Sequence, residues 1–313
     1  MAGPVLSGQF QLTPQEAAPL LSTSRDFSWF QRFANPIILG LGGTNIPVFD
    51  HDFEGGWVEE ATAKPVDDDV VSNKYMARRK WSLIVAVTAE VARASSSGEQ
   101  GIVGYVPTIR DRIAGSLARD IDRLAATGSG ISGQTYMNQS TKSVALGTAS
   151  KTDGGVWADL NAGLQLIVED TVKDRSLDGF IFDNVVEPIM NASVDNNGNP
   201  LFVDRPLVDS SPAFRPGGVM GRPAGLVKRL RNGTGAGQVV GYGGDFSRAY
   251  YGFLSPISFD VSDSASYVNK QGTTISAYQN NLVLIRAEAE LGVLIADPED
   301  FVKFTSAVGA PTS

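Results

Sequence analysis

Cysteine is absent from all 313 residues, which removes disulfides, thiolate zinc sites and cysteine nucleophiles together. Histidine is almost absent: His51 is the only one, so a serine–histidine–aspartate relay would have to use it. No Gly-x-Ser-x-Gly elbow supplies a nucleophile for such a relay, and His51 reads as an exposed loop residue. No apolar run reaches the roughly 18 residues that cross a bilayer. The first residues, Met1 to Gln9, lack the basic region and apolar core of a secretory signal. Basic residues are outnumbered, 26 against 34 acidic, for a net charge of −8. A protein that grips nucleic-acid phosphates shows a basic balance or stripe. This surface would tolerate enclosing DNA without gripping it.

The candidate chemical motifs fail on inspection. Asp195, Asn197 and Asn199 resemble the opening of a calcium loop, but Pro200 stands where glycine is needed and Pro206 where a bidentate glutamate is required. Gly233, Gly235, Gly237 and Gly241 do not match Gly-x-Gly-x-x-Gly, and they precede a strand rather than a helix. There is no Gly-Lys-Ser/Thr phosphate loop. Asp67, Asp68 and Asp69 are adjacent carboxylates that alternate in direction, a poor chelate. Paired acids such as Glu59 and Glu60 are too common to indicate hydrolysis without a pocket. The expectation is therefore no catalytic residue, no cofactor and no metal.

The informative stretch is 46–128. It begins with a hairpin-like excursion, Ile46-Pro47-Val48-Phe49 through Trp57-Val58-Glu59-Glu60 to Lys64-Pro65, and returns as a strand from Trp81 to Val87. The segment from Asp50 to Asp69 carries eight acidic residues and one lysine, Lys64. The return leg carries Lys74, Arg78, Arg79 and Lys80. Opposite charges segregated in this way can steer and register a contact between copies; the alternative is two solvated faces. Phe49, Phe53 and Trp57 have few local companions to bury them. The excursion thus reads as an arm that finishes its core on a neighbour, with Trp57, Glu59, Glu60, Lys64, Arg78 and Arg79 at the contact. That points to a protein that builds a shell rather than to a catalyst.

On the return strand Trp81, Leu83, Val85 and Val87 share one face. A short helix is expected over 88–94, running into a Ser-Ser-Ser-Gly loop. A long helix follows over 107–126, where Val106, Ile109, Ile113, Leu117, Ile121 and Leu124 form one apolar stripe. Pro107 suits its first turn, Thr108 and Asp111 resemble a capping box, and Gly128 suits its end. Its opposite face carries Arg110, Arg112, Arg119, Asp120 and Asp122.

Elsewhere the pattern is mixed. Residues 1–44 show little periodicity apart from Phe27, Trp29, Phe30 and Phe33. Two readings stand side by side: docking on another surface through Phe27, Trp29 and Phe30, or a short helix over 25–34 packed on its own domain. After a glycine-rich segment, 157–170 is expected helical with Leu160, Leu164 and Ile167 inward. Residues 179–182, 238–242 and 249–253 are expected strands. Asn184 and Glu187 have helix-cap spacing, though Pro188 keeps that helix short or displaced, and 195–200 is a turn. Residues 281–296 form a long strand with Arg286, Glu288 and Glu290 on one face.

The order of these elements resembles the major capsid proteins of tailed double-stranded-DNA bacteriophages, the Hong Kong 97-type fold, along nearly the whole chain. Three co-linear segments carry the resemblance. The first is Ile46-Pro47-Val48, Trp57-Val58-Glu59-Glu60 and Lys64-Pro65, with the return strand ending Val85-Ala86-Val87-Thr88-Ala89-Glu90. The second is the long helix ending Arg119-Asp120-Ile121-Asp122. The third runs from Gly244-Asp245-Phe246-Ser247 through Ile285-Arg286-Ala287-Glu288 to Ala296-Asp297-Pro298-Glu299-Asp300-Phe301-Val302.

The resemblance implies an α+β fold with an N-terminal arm (1–44) and an extended loop (45–80). It also implies a peripheral domain (81–129 and 263–313) holding a spine helix, whose core is Ile109, Ile113, Leu117 and Ile121. An axial domain (130–262) would meet its copies at five-fold and six-fold axes, and the last residues would rejoin its sheet. The implied function is self-assembly into hexamers and pentamers of an icosahedral head that encloses DNA. The implied partners are further copies of the chain, a scaffolding protein, a portal and a decoration protein; no membrane is involved. The implied location is the virion capsid, assembled in the host bacterial cytoplasm. Because the arm begins almost at Met1 with no charged helical prefix, scaffolding is expected from a separate protein or from a prefix absent from this chain. Some relatives join a loop lysine to an asparagine of the peripheral domain, and position alone does not assign Lys64 and Asn269 to those roles. Two other readings remain: an encapsulin-like cellular nanocompartment and an α/β enzyme with an unrecognised site.

Overall fold

The computed structural model describes residues 28–49, 56–60, 62–64, 66, 71–90, 105–150, 154–169, 175–192, 203–204, 214–233 and 235–307. Expectations for Phe27, His51, Phe53, the Asp67–Asp69 run, the Thr108 cap, the loop 95–98 and the turn 195–200 fall outside the described residues or side chains.

The chain enters through a single helical turn, α1 (Phe30–Phe33), and a short strand, β1 (Asn35–Pro36). The excursion opens as β2 (Thr44–Phe49) and returns as β3 (Val71–Met76), paired antiparallel from Thr44 opposite Met76 to Phe49 opposite Val71. β4 (Arg79–Thr88) follows directly and alternates as expected, with Trp81, Leu83, Val85 and Val87 inward. The helix expected over 88–94 begins at Ala89 and Glu90 and then leaves the described residues.

The long helix α2 (Tyr105–Thr127) extends the expected span by a residue or two at each end. At about 1.5 Å per residue it is roughly 34 Å long. Its stripe is buried throughout: Ile109, Ile113, Leu117, Ile121 and Leu124 all lie in the main core. Gly128 ends it at φ +72, where a Cβ would meet the Tyr136 ring, so glycine is needed for conformation and for space.

Beyond the helix come β5 (Ser143–Leu146), α3 (Val156–Val168), β6 (Gly179–Asp183), a 3-10 turn (Asn184–Val186), α4 (Glu187–Ala192) and β7 (Val203–Asp204). The cap of that turn is Asp183, one residue before the expected Asn184, accepting from the Val185 amide at 3.0 Å. Then follow β8 (Phe214–Val219), β9 (Arg222–Val227), β10 (Val239–Gly244), β11 (Ala249–Ser262), the small hairpin β12 (Ser266–Val268) and β13 (Thr274–Ser276), β14 (Leu282–Ile295) and β15 (Phe301–Ser306).

These strands form two main sheets. One has four strands in the order β1-β11-β14-β4; the other has seven, in the order β5-β15-β10-β6-β9-β8-β7. β15 sits between β5 and β10, so the chain's last strand does return to the larger sheet. The boundary expected at residue 262 coincides with the end of β11. All of β11 pairs with β14 in the smaller sheet, so the crossing lies at 245–248, where a 3-10 turn capped by Asp245 redirects the chain.

Packing explains why each sheet has its sequence. In the larger one Phe180 and Phe182 stand opposite Gly243 and Gly241 of β10, with no side chain between. Each ring occupies the space a Cβ would take. Phe304 closes the same cluster against both rings, and α3 covers it through Leu160 and Ile167. On the other side of β10, Tyr242 points into the core around the long helix. One element thereby binds both sheets.

A candidate assembly interface

The base of the β2–β3 ribbon is seated firmly. Ile46, Val48 and Met76 pack on Leu39, Leu294 and Ala296 in a small core of their own. Met76 fits there because Gly292 lies beneath it, and a Cβ at Gly252 would overlap the Ile37 carbonyl. Arg248 donates to the Phe49 carbonyl at 3.0 Å, holding the end of β2.

Past Phe49 the burial stops. Trp57 is fully exposed, at 105% of its reference area, and Val58, Val66, Val71 and Phe49 are 44–84% exposed. Glu59, Glu60 and Lys64 are exposed beside them. Among the described residues the outer part of the excursion is therefore an apolar and acidic surface that its own subunit leaves uncovered. Ile38, Leu41 and Tyr75 add exposed apolar area at the ribbon's base, at 89%, 76% and 55%. Sequence pattern passed over these three because they fall in a glycine-rich turn and at an outward strand position.

The basic residues of the return leg do not join Trp57. Arg78, Arg79 and Lys80, at the ribbon's base, have partners at home. Arg78 reaches Glu290 at 3.4 Å, Lys80 reaches Glu288 at 3.0 Å, and Arg79 donates to the Ser132 carbonyl at 3.1 Å. Arg286 continues the row to Asp260 at 3.0 Å. The hydrogen bond from Lys80, more than the nearby Arg286, holds the Glu288 carboxyl below its ordinary value. The expected contact of Arg78 and Arg79 with a neighbour's acidic leg would draw on side chains already engaged at home: β4 is registered against β14, which brings the acids of β14 within reach.

The N-terminal aromatics are also corrected. Trp29 and Phe30 are 3% and 0% exposed, inside the main core, with Phe30 edge-on to Tyr251. Their area is spent within the subunit, as in the own-domain reading, although the helix is one turn rather than the expected 25–34. What fixes them is Asp122, which the helical pattern assigned to the polar face. Its carboxylate accepts from the Ser28 hydroxyl at 2.6 Å and the Phe30 amide at 3.1 Å. Burial pushes Asp122 up to about 7 despite those bonds. Asp120, on the same expected face, accepts from the Trp81 indole at 2.8 Å.

A charged knot joins the two sheets where the third resemblance segment turns. Arg175 donates to Asp297 and Asp300, each at 2.9 Å. Arg248 lies 3.8 Å from Asp300 and 4.0 Å from Asp245. Asp300 is fully buried, and burial pushes it up to about 6 against the pull of Arg248 and Arg175. Asp178 is likewise raised by burial while accepting from the Phe246 amide at 2.9 Å. Among the described residues no group of three or more His, Asp or Glu side chains is placed to hold a metal, and no helix is long and apolar enough to cross a membrane. The isopeptide roles find no support: Asn269 uses its side-chain oxygen to accept from the Gln271 and Thr273 amides within its own turn.

The geometry on hand is thus an exposed apolar excursion anchored at its base on a packed two-sheet body. Comparison with known proteins decides the matter, since the model of the Phage capsid family matches residues 8–306. The chain belongs to the phage capsid family. It is 31% identical over 304 residues to the probable major capsid protein gp17 of Mycobacterium phage L5, covering 94% of this chain and 89% of that one. The gp17 protein of Mycobacterium phage D29 has the same identity, covering 95% and 90%. Solved structures agree on the fold. One from Mycobacterium phage Ogopogo superposes with TM-score 0.66 at 19% identity, over 98% of this chain and 97% of that one. One from Gordonia phage Cozz gives 0.65 at 18% identity, over 90% and 87%. The fold is thus the Hong Kong 97-type capsid fold, and the function is that of a structural major capsid protein of a tailed phage. The encapsulin reading is not favoured.

Proposed function

We propose that this capsid protein closes an icosahedral head from hexamers and pentamers, and that the ribbon 45–80 is the element each subunit extends onto a neighbour. The observation that carries the reading is Trp57. A side chain of that size, wholly in solvent at the end of a two-stranded ribbon, stabilises nothing in its own subunit. Isolated ribbons are marginal in water, and among the described residues this one is anchored at its base. Regions 81–129 and 249–295 then act as the peripheral body, with the long helix as its spine. The larger sheet forms the axial body that meets its copies around the symmetry axes. Exposed Trp157, Leu166, Val168 and Val185, at 38–59%, supply apolar area on the larger sheet's side for that contact. The net charge of −8 suits a wall that encloses DNA without sequence-specific binding.

The role is structural rather than catalytic. Scaffolding, portal and decoration proteins are the partners this role calls for, with assembly in the host bacterial cytoplasm. Electron microscopy of the purified protein tests the reading. Large closed icosahedral particles are expected, small uniform shells would favour a nanocompartment, and a discrete monomer or dimer under all assembly conditions would overturn it.

A further inference from the structure

Two asparagines of the chain, Asn197 and Asn232, are followed by glycine, and Asn232 lies within the described residues. It stands between β9 and β10, where an isolated bridge closes a glycine-bearing loop. The Asn232 amide donates to the Val239 carbonyl at 3.1 Å, and the Val239 amide donates to the Asn232 carbonyl at 2.9 Å. Gly233 follows at φ +93 and is exposed, while Asn232 is half-buried. Among the described residues neither the Asn232 carboxamide nor the Gly233 amide has a hydrogen-bond partner. Other asparagines differ. Asn35 and Asn280 donate their carboxamides to the Ser247 and Ser276 carbonyls, and Asn269 accepts from the Gln271 and Thr273 amides. Each of these three is also followed by a residue bulkier than glycine, which crowds the next backbone nitrogen. At Asn232 alone of these, an unengaged carboxamide adjoins an unengaged and uncrowded backbone amide that water reaches.

We propose that Asn232 is a site of spontaneous covalent modification in the folded subunit. The Gly233 nitrogen gives up its proton to solvent and attacks the Asn232 Cγ, forming an N–Cγ bond. The Cγ–Nδ2 bond breaks, and Nδ2 takes a proton and leaves as ammonia. Water then opens the resulting succinimide at either carbonyl. Opening at Cγ gives aspartate; opening at the main-chain carbonyl carbon gives isoaspartate, with the backbone routed through Cβ and Cγ. One water enters, one ammonia leaves, and nothing is oxidised or reduced. Ring closure turns the peptide plane after Asn232, so its bond from Val239 must open first. That bridge is a single pair outside the named strands, the kind of contact that opens locally without unfolding the domain. Either product adds a negative charge next to Arg231, which now reaches Asp183 at 3.3 Å, and close to exposed Lys228 and Arg229. Isoaspartate also lengthens the main chain between the amide and the carbonyl that pair with Val239, so the two bonds cannot both re-form in register.

The step needs one copy of the chain, so its outcome is independent of the shell reading. The purified subunit would be kept in mildly alkaline buffer at physiological temperature, with a second sample unfolded in guanidinium. Peptide mapping by mass spectrometry follows both, with aspartate and isoaspartate separated by chromatographic retention. The folded chain should accumulate both products at position 232, at a rate comparable to the unfolded chain and severalfold faster than any change at Asn269. Isoelectric focusing should show a matching acidic species that Asn232→Gln lacks. An Asn232 that stays intact in the folded chain while the unfolded one converts would mean that the bridge protects it, and the proposal falls. Conversion at Asn269 as fast as at Asn232 would overturn it equally, since the free carboxamide and the glycine would then confer nothing.

Discussion

Ser28 donates its hydroxyl to Asp122 at 2.6 Å, tying the entering chain to the long helix 94 residues away in sequence. The Asp122 carboxyl sits at about 7, whereas an unfolded aspartate sits near 3.9. Between those values the folded protein holds a proton that the unfolded chain has lost, so this group's contribution to stability falls as pH rises from about 4 to 7. Asp300, at about 6, has the same sign. Subunits should therefore have a higher urea midpoint at pH 5 than at pH 8. Asp122→Asn, which keeps an acceptor for Ser28 without the charge, should narrow that difference. An unchanged difference in the variant would show that Asp122 ionises normally in the folded chain.

Arg175 is 5% exposed and is the direct hydrogen-bonding partner of fully buried Asp300. Removing one side of a buried pair costs about 3–5 kcal/mol where the remaining charge has no compensation; Arg248, 3.8 Å from Asp300, keeps the cost here toward the lower end. Arg175→Ala should lower subunit stability by that order, measured by urea unfolding. Arg175→Lys should recover only part of it, because an ammonium cannot span Asp297 and Asp300 as a planar fork does.

The Arg78–Glu290 pair gives a contrasting case. Both partners are partly solvated, at 42% and 28%, so the pair contributes about 0–1 kcal/mol. Arg78→Glu should destabilise the isolated subunit by about that much, and Glu290→Arg in the same chain should restore it. Reversal of Glu59 and Glu60 should not. Rescue by the Glu59/Glu60 reversal instead would return Arg78 to an inter-subunit role.

The stripe of the long helix was fully legible because its period is local: Ile109 to Leu124 needs only the spacing of three and four. The ribbon and the long strand 282–295 were legible for the same reason, since alternation shows one face at a time. Asp122 and Asp120 were misassigned because a helical wheel reports which residues are polar, not whether a distant chain brings them donors. The home partner of Arg78 was hidden for a similar reason. Its partner Glu290 is set by the register of β4 on β14, which local sequence does not encode. The knot at Asp245, Arg248, Asp297 and Asp300 lay inside a segment already singled out for its resemblance, yet its physical role needed both turns placed together. The strands β5, β8 and β9 gave no clear pattern, for β5 is only four residues long and β8 and β9 carry proline and glycine.

Ile113 is 2% exposed in mid-helix, between the sheets. Ile113→Asp would bury an uncompensated carboxylate, costing several kcal/mol against a total of about 5–15 kcal/mol for a typical domain. Insoluble protein is expected on expression. Soluble subunits with a cooperative unfolding transition would show that the stripe does not form the core.

Folding and assembly should separate at the ribbon. Ile46, Val48 and Met76 secure its base, while Trp57, Val58 and Val66 beyond it are exposed. Replacing 50–69 with a short glycine–serine bridge leaves every buried contact of the base in place. It also shortens the connection between β2 and β3, which lowers the entropy cost of closing it. The urea midpoint of the subunit should therefore stay within experimental error of the parent. Assembly should fail, because the apolar surface around Trp57 has been removed from every copy and each lost contact is repeated throughout a closed shell. Sedimentation and electron microscopy of the same preparation measure both halves. Normal particles from the shortened chain would mean that copies hold one another by other surfaces, while an unfolded subunit would mean that the outer ribbon contributes to its own core.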